Sequence, residues 1–157
     1  MEQRLNAFEK GFNAIKPLLG LGAYLAKSSI EKKLFDLIDF RVSQINGCAY
    51  CLDMHSKDLL AEGESDQRLY VLNAWREAPF YSDRERAALS WAEAVTLVNK
   101  SRVPDEVYEE ARKQFSEEEL IDLTMGIIAI NSFNRINIAF RIPAGTYEVG
   151  QHAELLK

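Results

Sequence analysis

Three side chains in the run VSQINGCAYCLDMHSKD could do redox chemistry together: Cys48, Cys51 and His55. They are the only two cysteines and one of the two histidines in 157 residues. Asn46-Gly47 interrupts a helical pattern just before them, which predicts Cys48 at or near the start of a helix. The free N–H groups and positive dipole end of a helix favour a thiolate over a thiol. A C-x-x-C at that position also brings the two sulfurs within reach of a reversible disulfide. His55 follows Cys51 by four residues and Cys48 by seven, so all three share one helical stripe. An imidazole beside a thiol can take its proton and return it to a leaving group. The spacing therefore assembles an attacking thiol, a resolving thiol and a proton shuttle. The bland alternative is two buried small hydrophobes and a structural histidine. The chemical rival is zinc, with Cys48, Cys51 and His55 as ligands and Asp36, Asp53 or His152 as the fourth. A second short ligand motif, usual in structural zinc sites, is absent.

The elements that must position these residues read as helices from end to end, which predicts an all-α fold. No stretch alternates like a strand between turn signals. Helices are expected near residues 3–15, 18–27, 30–45, 48–62, 66–77, 83–98, 104–114 and 117–141, about eight in all. Ser28 with Glu31, Ser82 with Glu85 and Ser116 with Glu119 look like capping boxes, and Pro104-Asp105-Glu106 like a fourth start. Ile121, Met125, Ile128, Ala129 and Ile136 are expected to face the core from the last helix. Beside them Asn131, Asn134 and Asn137 form a polar row that satisfies neighbouring helices or a subunit contact or, less simply, lines a pocket. One domain over residues 1–157 suffices, with Ala144–Lys157 expected as a tail or short helix. Tyr70, Trp75, Phe80, Tyr81 and Trp91 are expected in the core, some of them covering an interface or pocket mouth.

The net charge of −5 argues against a nucleic-acid footprint and against anionic membranes. No stretch suits a signal peptide or a membrane span, so a cytoplasmic location is expected. In a reducing compartment, two close cysteines point to catalysis or metal binding rather than to a structural staple.

The stretch RVSQINGCAYCLDMHSKD resembles the central motif of the AhpD-like alkylhydroperoxidases of the carboxymuconolactone decarboxylase family. The similarity continues through RLYVLNAWREAPFYSDRERAALSWAEAVTLV and NRINIAFRIPAG, from about Ala23 to Gly145. It implies an all-helical, oligomeric protein that reduces organic hydroperoxides at a redox-active cysteine pair. By that analogy and its proximity to His55, Cys51 would attack the peroxide and Cys48 resolve it, whereas the helix dipole favours Cys48 as the more activated thiol; His55 would move the proton. No cofactor is implied. A dihydrolipoyl or thioredoxin-like protein would restore the thiols. Where the peroxidases carry Glu, twelve residues before the first cysteine, this chain has Asp36, one methylene shorter. Where some carry His before the second cysteine, it has Tyr50, a poor base at neutral pH. The alternatives are a disulfide reductase, a redox-sensing oligomer, and the decarboxylation that names the family, whose enzymes lack the paired cysteines.

Overall fold

The computed structural model describes residues 2–152. Among them nine helices form, with no strand: α1 Ala7–Lys10, α2 Phe12–Leu25, α3 Lys32–Asn46, α4 Ala49–Ala61, α5 Asp66–Tyr70, α6 Asp83–Thr96, α7 Val98–Ser101, α8 Asp105–Gln114 and α9 Glu117–Phe140. A 3₁₀ turn, Leu72–Ala74, follows α5. The all-α expectation holds.

Helix α3 is the central post, packed against α4, α6 and α9. Its Leu34, Leu37, Ile38 and Val42 are buried against Leu59 of α4, Leu89 of α6 and Leu123 and Ile127 of α9. Each such side chain contributes roughly 1.5–3 kcal/mol when removed from water.

The Ser82 and Ser116 capping boxes form as expected, each with both reciprocal hydrogen bonds. The Ser28 box does not. Ser28 Oγ accepts from Ile30 N at 3.3 Å, Ile30 drops into the core, and α3 begins only at Lys32. The first break also moves. Gly11 separates α1 from α2, and Pro17 lies inside α2, where it forgoes one backbone bond. Pro104 caps α8 rather than opening it.

The core face of α9 differs from expectation. Its buried row is Leu120, Leu123, Ile127, Ile130, Asn134 and Asn137, spaced by threes and fours along one stripe. Ile121 and Ile128 instead point outward, 63% and 44% exposed, and of the expected stripe only Ala129 is buried. The helix is apolar nearly all round, so periodicity could not choose a side. The buried row carries two asparagines, so apolar residues alone do not mark the core face. Of the aromatics, Trp75, Tyr81 and Trp91 are buried as expected, while Tyr70 and Phe80 are exposed.

Candidate redox site

The turn into the site is held by polar bonds between helices. Asn46, the last residue of α3, donates to Asn131 Oδ1 at 3.0 Å and Asn134 Oδ1 at 2.8 Å on α9. Asn134 in turn donates to Ser43 Oγ at 3.1 Å, and Asn131 to Thr96 Oγ1 of α6 at 3.0 Å. The asparagine row thus satisfies its neighbours, the simpler of the two expectations for Asn131 and Asn134. Gly47 then takes φ +70°, a left-handed conformation that ends α3 and that a side chain would strain.

Cys48 follows as the N-cap of α4, its sulfur accepting from Cys51 N at 3.3 Å. The two sulfurs are joined as a disulfide, with Cα atoms 5.4 Å apart. Asn137 Nδ2 donates to Cys51 Sγ at 3.3 Å, so the third asparagine reaches the chemistry directly. Cys48, Cys51, His55 and Leu59 are the buried stripe of α4. The one-stripe arrangement read from the spacing is therefore present.

His55 is 7% exposed, and its Nε2 has no hydrogen-bond partner among the described residues. Burial, aided by the nearby Lys32 ammonium, pushes its pKa down to about 4, so the imidazole is neutral at neutral pH. The carboxylate that approaches it is that of Asp39, whose Oδ2 lies 4.0 Å from Nε2. Sequence reasoning missed Asp39. Its only signal was position, one turn beyond Asp36 on the same face of α3. Asp36 stands in the same cluster but is bonded to Lys32 Nζ at 2.6 Å, and Lys32 also contacts Glu62. Burial raises both carboxyls, Asp36 to about 6 despite Lys32 and Asp39 well above its ordinary value.

These groups open onto a cavity of about 320 Å³ between α2, α3, α4 and α9. Its wall is mainly apolar, with Phe8, Leu25, Ile30, Phe35, Ile130 and Phe133, and Cys51 lines it while Cys48 does not. Gly126 makes room for one wall. A Cβ there would stand 2.6 Å from the Phe35 ring.

Residues 145–152 lie across α4 rather than trailing as a tail. Gly145 N donates to Asp53 at 2.9 Å, Lys57 Nζ to Tyr147 O at 2.9 Å, and the Tyr147 hydroxyl to Asp58 at 2.9 Å. Tyr147 is buried, and His152 Nε2 meets the Tyr50 hydroxyl at 2.7 Å at the cavity edge. Residues 153–157, the rest of the expected tail, lie outside the described residues. Of the other proposed zinc ligands, Asp53 and His152 are engaged in this strap and both cysteines in the disulfide.

An all-helical domain with a Cys-x-x-Cys at the start of a helix is the AhpD-like class. The chain belongs to the carboxymuconolactone decarboxylase family, whose model matches residues 13–94. It is 45% identical over 139 residues to YdfG of Bacillus subtilis, an uncharacterised protein, covering 88% of this chain and 95% of that one. The crystal structure of ATU0492 of Agrobacterium tumefaciens, a protein of unknown function described as a candidate AhpD antioxidant defence protein, superimposes with a TM-score of 0.89 at 38% identity. The match covers 93% of this chain and all of that one. A shorter match, 39% over 46 residues, joins the chain to the alkyl hydroperoxide reductase AhpD of Corynebacterium aurimucosum, 29% of this chain and 26% of that one. Among the described residues no helix is long and apolar enough to cross a membrane.

Proposed function

We propose that this chain reduces organic hydroperoxides at the expense of a thiol reductant, with Cys51 as the attacking sulfur. One observation carries the reading: Cys51 lines an apolar cavity, with the neutral His55 one turn further along α4. A peroxide with an organic tail fits such a wall, and its O–O bond would face the sulfur. The Cys51 thiolate attacks the outer oxygen, the O–O bond breaks, and Cys51 becomes a sulfenic acid. His55 carries the proton from the Cys51 thiol to the departing alkoxide, which leaves as the alcohol. Cys48 then attacks the sulfenic sulfur, releasing water and closing the disulfide. An external dithiol, carried by a dihydrolipoyl or thioredoxin-like protein, reduces the bridge and is itself oxidised.

The test is cumene hydroperoxide reduction with dihydrolipoamide as donor, comparing the native chain with Cys48→Ser and Cys51→Ser. Thiol-dependent turnover should vanish in both variants. After peroxide, sulfenic acid should be trapped in Cys48→Ser. Sulfenic acid found only in Cys51→Ser would reverse the roles. A native protein without turnover whose disulfide still cycles would be a disulfide reductase or redox sensor. In that outcome Asp36, bonded to Lys32, and Tyr50 are the departures that account for it.

The same reading includes a homo-oligomer. Ile121, Ile128 and Ile138 leave an apolar row on the outer side of α9, suited to a second copy. Light scattering at micromolar concentration should give a multiple of the chain mass, and Ile128→Glu should reduce it. A monomeric native protein would refute the assembly.

A further inference from the structure

Asp36 and Asp39 of α3 and His55 of α4 converge so that one donor atom from each lies within 4.8 Å of the others. Their immediate surroundings leave them poorly satisfied. His55 Nε2 is buried without a hydrogen-bond partner and faces Asp39 Oδ2 at 4.0 Å. Asp39 itself takes part in no side-chain hydrogen bond among the described residues, although Asp36 does. Two half-buried carboxylates beside a buried, bare imidazole nitrogen together want a cation. The neighbouring Lys32 answers only the outer edge. Its side chain is 70% exposed, and its ammonium is shared between Asp36 and Glu62.

We infer that Asp36, Asp39 and His55 form a binding site for a divalent transition-metal ion of zinc's class. One imidazole nitrogen and two carboxylate oxygens are ligands that zinc accepts, whereas the imidazole disfavours magnesium and calcium. An ion centred among donors that lie no more than 4.8 Å apart would stand at most about 2.8 Å from each, against about 2.0–2.2 Å for bound zinc. Small side-chain rotations close that gap. The cavity borders all three residues and leaves room for water as a further ligand. No cysteine is needed, so the site persists while the Cys48–Cys51 bridge is closed. One consequence rests on the function proposed above: an ion on His55 Nε2 occupies the nitrogen that faces Asp39 and withdraws the imidazole from proton transfer.

The experiment is calorimetric titration of the full chain in its disulfide form with zinc chloride, without reductant, so that no thiol competes. The native protein should bind one equivalent. Asp39→Asn and, separately, Asp36→Asn should weaken binding by about tenfold or more. Lys32→Met, outside the ligand set, should tighten it several-fold by removing a competing cation. Circular dichroism with chelator present confirms that each variant is folded. Absence of saturable one-to-one binding, or binding that both Asp→Asn variants leave unchanged, would overturn the site. Peroxide turnover is measured separately in chelator. Turnover without zinc binding removes this inference alone, and zinc binding without turnover removes only the peroxidase reading.

Discussion

Asp39 and Arg41 stand two residues apart on α3 and live in opposite surroundings. Arg41 turns toward α6, where Glu93 gathers three donors: Arg41 Nε at 2.9 Å, Trp75 Nε1 at 2.9 Å and Arg76 at 2.7 Å. Burial pushes the Glu93 carboxyl up, but those donors outweigh it and hold it below its ordinary value. Asp39 turns toward the cavity, where burial raises its carboxyl with little to offset it and His55 Nε2 goes unpaired. One helix therefore carries a satisfied face that holds the fold and an unsatisfied face that is available for chemistry. Unpaired polar groups cost stability, and such costs concentrate at functional sites.

Substitutions on the two faces should separate activity from stability. The largest effect is expected from His55→Ala, which should lower peroxide turnover by roughly 10²–10⁴-fold. It should cost less than about 2 kcal/mol in urea unfolding, because the side chain borders a cavity and its Nε2 is unpaired. A large loss of stability with little loss of turnover would abolish the contrast. Glu93→Ala should do the reverse. It strands Arg41 and the Trp75 N–H, so unfolding free energy should fall by about 3 kcal/mol while turnover per folded molecule stays the same.

Acid sharpens the same contrast. Glu93 has a folded pKa below its ordinary 4.5, so its contribution is complete above pH 4.5 and fades as pH falls through the folded value. The native protein should lose stability below pH 4.5 more steeply than Glu93→Ala does, and parallel curves would show that the Glu93 bonds add nothing. The smallest effect is expected from Asn137→Leu. It removes the donor to Cys51 Sγ together with a buried, unpaired Oδ1. Stability should change by no more than about 1 kcal/mol. Iodoacetamide should alkylate the reduced Cys51 several-fold more slowly at neutral pH, because the thiolate has lost a hydrogen bond.

Much of this was legible in the sequence. Cys48, Cys51 and His55 could be placed on one stripe because helical geometry is local and Asn46-Gly47 marks where the helix must begin. The capping boxes at Ser82 and Ser116 were readable for the same reason. What escaped depends on partners distant in sequence. Which side of α9 is buried is decided by α3 and α6, not by its own apolar residues. Asp39 meets His55 only because α3 and α4 fold back on each other. Tyr147 is buried by Asp58 and Lys57, ninety or so positions earlier, and nothing in GTYEVGQH announces it.

Both cysteines of the bridge are 1% exposed, which makes the disulfide a kinetically shielded group. A thiolate attacks a disulfide along the S–S axis, and with both cysteines buried a folded protein donor is too bulky to follow a small peroxide into the cavity that Cys51 lines. Re-reduction must then wait for a local opening, as exchange of a core amide does. Its rate should rise with donor concentration only until opening becomes limiting. Beyond that point a strong and a weak reductant should reach the same ceiling, set by how often the helices around the bridge part.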